Sequence, residues 1–261
     1  MSPRSFIPAA VALSIALGGS AEAAKVVGKI TVTAAFRQAL ADEESKAAGQ
    51  LRSGYWNEPN SVRDVEPPYV DPSSDFGIAL FPDGSIAGKP DDLTEVDVRA
   101  GGLDRNVVVV RPGTAVKFRS VDPFDHELYV ESFDDFKPEK QSRGSFRTIE
   151  FASEGVYEVR CRLMPHFRGW VVVTKAPFVI KADAAGAFSQ DGLAPGKYTL
   201  RVFFRGRWIA EQKLEIDSER GDFPVEVKID VPKAPGGAPA AAAPPAPPAA
   251  PAETPKKPKD R

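Results

Sequence analysis

From residue 95 to residue 231 apolar and polar positions alternate in short runs punctuated by glycine and proline, the period-2 signature of half-buried β-strands. Val116-Lys-Phe118-Arg-Ser120, Leu128-Tyr-Val130 and Phe146 to Phe151 each read as one strand. In Gly155 to Arg162, Tyr157, Val159 and Cys161 alternate with Glu158, Arg160 and Arg162, so the single cysteine falls on the inward face. Val107 to Arg111 is an apolar run closed by Pro112-Gly113, and Gly169-Trp-Val-Val-Val173 is a second such run. A hairpin-rich β pattern continues through Phe178 to Ile180, Asp183 to Phe188 and Gly192 to Val202, with two further β segments at Trp208 to Ile216 and Phe223 to Val231. Upstream, Val26 to Val32 reads as a strand. Ala34 to Ser53 follows with Phe36, Leu40, Ala47 and Leu51 at helical spacing, and Gly54 ends it. Residues 55–72 are too rich in Pro, Asn and Asp for regular structure. Phe76 to Phe81 is a strand closed by the turn Pro82-Asp83-Gly84.

Many short strands with Gly and Pro turns predict an all-β fold, a Greek-key β-sandwich over 95–175 followed by a second, small β-sandwich module over 176–231. A module of that size is marginal alone and gains by packing on the first. Residues 25–94, a strand, one N-terminal helix and a loop region, are expected to pack on the first sandwich. The two ends read differently. Residues 1–23 carry Arg4, an apolar run from Phe6 to Leu17 and then Ala21-Glu-Ala23, the pattern of a signal peptide. With no cysteine at that cleavage region, a soluble protein, periplasmic or secreted and with no membrane span in the mature chain, is expected. Residues 232–261 are mostly Pro and Ala with a Lys cluster, too poor in apolar surface to offset their ordering entropy, and are expected to form a disordered tail. A formal net charge of -2 argues against nucleic acid as a partner.

The inventory of chemistry is short: one Cys, two His and two Met in the whole chain. Cys161, Met164 and His166 fall in one loop, and His126 follows the turn Asp122-Pro123-Phe124-Asp125. One thiolate, two imidazoles and a thioether make the set used by a copper electron-transfer site. The residue types leave the alternative open that Cys161 is an inert core residue. No nucleophile–base arrangement, phosphate-cradling glycine loop or paired-His helix is present, so an enzyme is not expected.

The segments Val110-Arg-Pro-Gly113-Thr-Ala-Val-Lys-Phe118, Asp125-His126-Glu-Leu, Gly155-Val-Tyr157-Glu-Val-Arg-Cys161 and Gly169-Trp-Val-Val-Val173 resemble the cupredoxin superfamily, in particular plastocyanin- and amicyanin-like proteins of methylamine-utilization type. Asp183-Ala-Ala-Gly186-Ala-Phe188 and Leu193-Ala-Pro-Gly196-Lys-Tyr198-Thr-Leu are similar to a carboxypeptidase-regulatory-like β-sandwich. The resemblance implies a periplasmic one-electron carrier with copper held by a His of the upstream turn, a Cys, a His three residues on and often a Met three beyond that. His126 and Cys161 match. Met164 stands where the second His is expected and Phe167 where the Met is expected. His166, five residues after Cys161, is the alternative second imidazole, with Met164 as a weak further ligand. Arg160, Arg162 and Arg168 surround the loop and read either as a solvated face or as a rim that steers an acidic redox partner near Arg162 and Arg168. Trp170 reads equally as a shield for the site or as a core residue. The stretch Phe203 to Trp208 reads as packing between the modules, with glycan or partner contact as the alternative. Two other functions remain open: a metal-free binding or interaction protein with a degenerate site, and Cu(I) buffering or delivery.

Overall fold

The computed structural model describes residues 24–51, 69–84, 88–131, 133–217 and 221–231. The signal peptide expected over 1–23, most of the irregular loop before residue 72 and the tail over 232–261 lie outside the described residues. In chain order the elements are β1 (Ala24–Val32), α1 (Ala34–Leu51), α2 (Pro72–Asp75), β2 (Phe76–Pro82), β3 (Thr94–Arg99), β4 (Gly102–Leu103), β5 (Val107–Val110), β6 (Thr114–Ser120), β7 (Leu128–Val130), β8 (Phe146–Phe151), β9 (Gly155–Cys161) and β10 (Arg168–Val173). Then come β11 (Phe178–Ile180), β12 (Ala187–Leu193), β13 (Gly196–Phe204), β14 (Arg207–Ile216) and β15 (Asp222–Ile229). The fold is all-β with one N-terminal helix of more than a turn.

Four sheets form two sandwiches. Sheets β4-β3-β6-β8 and β5-β10-β9-β7 enclose a core that includes Val98, Phe118, Leu128, Phe151, Val159 and Cys161. Sheets β12-β1-β15 and β11-β2-β13-β14 enclose a second core that includes Val26, Ile78, Leu80, Leu200 and Ile229. Each sandwich carries the same local device. Tyr157 Oη donates to Ser153 O at 2.9 Å and Tyr198 Oη to Ala194 O at 2.7 Å, so a Tyr two residues after a Gly pins the corner before its own strand.

The N-terminal strands do not stay with their neighbours in sequence. β1 pairs in parallel with β15 and antiparallel with β12, and β2 lies between β11 and β13. Residues 24–32 and 76–82 therefore belong to the sheets of the second sandwich, although β2 also touches the first. The reason lies in their faces: Ala24, Val26 and Ile30 of β1 and Phe76, Ile78 and Leu80 of β2 all bury into the second core. α1 is capped by Thr33, whose Oγ1 accepts from Phe36 N at 3.2 Å, and it lays Phe36 and Leu40 on the same core.

The continuous apolar runs mark where the sandwiches meet. In β5, Val108 and Val110 face the first core, whereas Val107 and Val109 pack outward with Trp170, Val172, Phe203 and Trp208. Strands buried on both faces lose their polar alternation. Gly77 permits the approach: a Cβ there would lie 2.4 Å from Val109 Cγ2 and 2.8 Å from Val107 Cγ1. The connectors into and out of the first sandwich are tied together by Arg111, which donates to Ala176 O (3.2 Å), Pro177 O (2.6 Å) and Asp91 Oδ1 (2.7 Å).

Candidate metal centre

β9 delivers Cys161 inward, leaving it 3 % exposed, and pairs it across the ladder with Leu128 of β7. His126 precedes β7. An isolated bridge to Gln141 fixes its backbone, with N–H···O bonds of 2.9 and 2.8 Å in the two directions, and its side chain is wholly buried. These constraints bring His126 Nδ1 to 3.9 Å from Cys161 Sγ. That span is shorter than the sum of metal–imidazole and metal–thiolate bonds of about 2.1 and 2.3 Å, so one ion fits between the two atoms. The Glu127 backbone N–H donates to Sγ at 3.4 Å.

The other ring nitrogen is held from behind. His126 Nε2 lies 3.0 Å from Asp122 Oδ2, and Asp122 also accepts from Ala100 N at 2.7 Å and Gly101 N at 3.0 Å. Burial pushes the Asp122 carboxyl up, but the Gly101 and Ala100 amides and the imidazole outweigh it and hold its pKa below the usual value. With Nε2–H donating to the carboxylate, Nδ1 presents its lone pair toward Sγ, the arrangement by which a carboxylate behind the ring orients a metal-binding histidine. In the sequence Asp122 reads only as a turn residue; its signal is the carboxylate four positions before His126. Phe124 and Phe167 close over the ring, with centroids 5.2 and 6.0 Å from it.

The remaining expected ligands divide. Met164 is half-buried and packs against the core that contains Cys161, and its N–H returns to Cys161 O at 3.3 Å. His166 is exposed. Both side chains border the β3–β4 turn: a Cβ on Gly101 would lie 3.4 Å from His166 Nε2 and 3.5 Å from Met164 Sδ. Among the described residues no three His, Cys, Asp or Glu side chains group so as to hold a metal ion. The structure thus brings together His126 and Cys161 as a buried pair, with the loop donors at its rim. Of the rim arginines, Arg162 pairs with Glu127 and Arg168 approaches Glu158 at 3.6 Å.

No protein-family model matches this chain, and no curated protein matches it. Solved structures do. They include amicyanin from Paracoccus versutus, at 18% identity over 37% of this chain and 98% of that one, with a TM-score of 0.30. A purple cupredoxin from Nitrosopumilus maritimus matches at 20% identity over 31% of this chain and 99% of that one, with a TM-score of 0.29. A Cu(I) amicyanin variant matches at 17% identity over 37% and 99%, with a TM-score of 0.30. Each neighbour is a cupredoxin that spans about a third of this chain, and at these scores the likeness carries no argument of its own. No helix among the described residues is long and apolar enough to cross a membrane.

Proposed function

We propose that the chain is an exported, periplasmic copper protein that passes single electrons, holding the ion through Cys161 and His126 with Met164 and His166 offered by the ligand loop. The observation that carries this reading is the buried Cys161 Sγ–His126 Nδ1 pair at 3.9 Å with a carboxylate fixed behind the imidazole. Bound copper would supply a one-electron couple; everything else is the work of the chain. Asp122 fixes the imidazole tautomer, the Glu127 amide donates to Cys161 Sγ, and Phe124 and Phe167 close over the imidazole. Arg162 and Arg168, with 66% and 57% of their side-chain surface exposed, form the rim on which an acidic redox partner would dock.

A second reading has one observation in its favour. Met164 is half-buried against the core that contains Cys161 while His166 is exposed, and a His/Cys/Met set is soft enough to prefer Cu(I), as a buffering or delivery site would. Copper titration of the purified chain, followed by visible absorption, electron paramagnetic resonance and voltammetry, separates the two. An intense thiolate-to-copper band with one reversible couple, lost in Cys161→Ser and His126→Ala, supports the electron carrier. Colourless, tight Cu(I) binding without a reversible couple supports the second reading. Failure to retain copper in either oxidation state overturns both.

A further inference from the structure

A cleft of about 440 Å³ opens between the two sandwiches beside the ligand loop. The first sandwich lines it with Asn106, His166, Arg168 and Trp170, and the second with Asp75 and Arg205. Its one carboxylate is already engaged: Asp75 Oδ1 accepts from Asn106 Nδ2 at 2.7 Å and Oδ2 from Asp71 N at 2.9 Å. The donors are in surplus. Neither the His166 imidazole nor the Trp170 indole N–H has a hydrogen-bond partner among the described residues. Arg168 meets Glu158 only at 3.6 Å, and Arg205 gives one nitrogen to Glu44 at 2.8 Å. Both are exposed ion pairs of little strength, and a guanidinium has five N–H groups.

Backbone geometry singles out the same place. Among the described residues, only two other than glycine have positive φ: Ala100 at 54° and Arg205 at 40°. Each is followed by a glycine with positive φ, and each pair forms the two-residue tip of a hairpin, β3–β4 and β13–β14 respectively. Such tips favour Asn or Gly at the first position, so an arginine there carries strain. One strained tip comes from each sandwich, and both border this cleft. Gly206 sits close enough to the Trp170 indole that a Cβ would lie 3.4 Å from Nε1. Strain of this kind persists where the side chain it presents has a use.

We propose that the cleft is a binding site for a small oxyanion, a carboxylate or phosphate group gripped by Arg168 and Arg205 and met by the Trp170 indole N–H. Two guanidinia and a free indole donor match the acceptor-only oxygens of such a group, and charge-assisted bonds of this type are the strong ones. The site uses neither His126 nor Cys161, and because His166 borders both this cleft and the candidate metal centre its test is run on metal-free protein.

The probes are inorganic phosphate and citrate, titrated into the full chain at constant ionic strength, with heat and tryptophan emission as readouts. Saturable one-to-one binding of either is expected, and the better-bound probe identifies the source chemistry as phosphate or carboxylate. Arg168→Ala should weaken it roughly ten-fold or more, the loss that goes with one charge-assisted contact. Arg205→Gly is the decisive variant. It relieves the turn and should raise the melting temperature, yet it should weaken the anion by a similar factor. Trp170→Phe should abolish the emission change. Absence of saturable binding to both probes, or wild-type affinity in Arg205→Gly, overturns the proposal.

Discussion

The carboxylate of Asp122 is the most consequential single group near the candidate centre, and Asp122→Ala tests its role directly. Asp122 accepts three hydrogen bonds in a buried setting, from Ala100 N, Gly101 N and His126 Nε2. Removing it leaves two backbone donors and one imidazole nitrogen without a partner, each worth about 1–3 kcal/mol when unsatisfied. Water entering the space left by the side chain recovers part of that loss, so the net destabilisation should be about 3–5 kcal/mol. For a domain of this size that corresponds to a fall in melting temperature of roughly 10 °C or more. Asp122→Asn keeps the volume but turns a donor toward donors, and should cost about 1–3 kcal/mol. Urea and thermal unfolding of metal-free protein measure both. On the proposed copper reading, affinity for the ion should also fall by roughly 10–100-fold, the usual effect of losing the carboxylate that orients a metal-binding histidine. Stability of Asp122→Ala within about 0.5 kcal/mol of wild type would refute the reasoning, because a surface change has that size.

Gly77→Val places methyl groups where Val107 and Val109 already stand, and overpacking should cost about 1–3 kcal/mol. Differential scanning calorimetry should then show the unfolding of the two sandwiches separating, whereas a single unshifted transition would count against tight docking. Arg111→Ala removes the bonds to Ala176 O, Pro177 O and Asp91, should cost about 2–3 kcal/mol and should expose the connectors to limited proteolysis. The Arg119 hydrogen bonds, with help from Arg99, hold the Asp97 carboxyl below its usual pKa. A depressed carboxylate contributes stability above its unfolded pKa of about 3.9 and loses it as pH falls through the folded value. Asp97→Asn should therefore flatten the acid limb of the stability curve below about pH 4 and leave neutral pH less stable; an unchanged acid limb would exclude Asp97 from it.

Much of the fold is legible in the local pattern. The alternation of Tyr157, Val159 and Cys161 places the cysteine inward, and the helix spacing of Phe36 and Leu40 gives the face that is buried. The unbroken valines of β5 and β10 announce strands covered on both sides, which here means the contact between sandwiches. Partner choice is not local. Nothing within residues 24–32 specifies that β1 should pair with β15, because the pairing depends on which apolar edge remains open once the rest has folded. At the centre, residue types single out His126 and Cys161, but loop spacing alone does not show that Met164 turns toward the core and His166 toward solvent. Asp122 escapes notice because Asp before Pro is an ordinary turn residue. Only the tertiary approach of the Ala100–Gly101 tip turns it into a buried acceptor.

The parallel pairing of β1 with β15 bears on the order in which the chain gains structure. The two strands are the first and last of the described elements, and the Thr33 Oγ1–Asp230 Oδ1 bond at 3.1 Å joins residues 197 positions apart. A chain emerging vectorially presents β1 first and must keep it solvated until β15 arrives, since loop closure over such a span precedes any reward from contact. The first sandwich is built entirely from strands between Thr94 and Val173, so its pairings close over much shorter spans. Its completion brings the β2 and β11 ends of its connectors together under Arg111, which shortens the remaining search. A first sandwich completed early would serve as a nucleus for the host that surrounds it, and β1 is the segment left waiting longest for its partner.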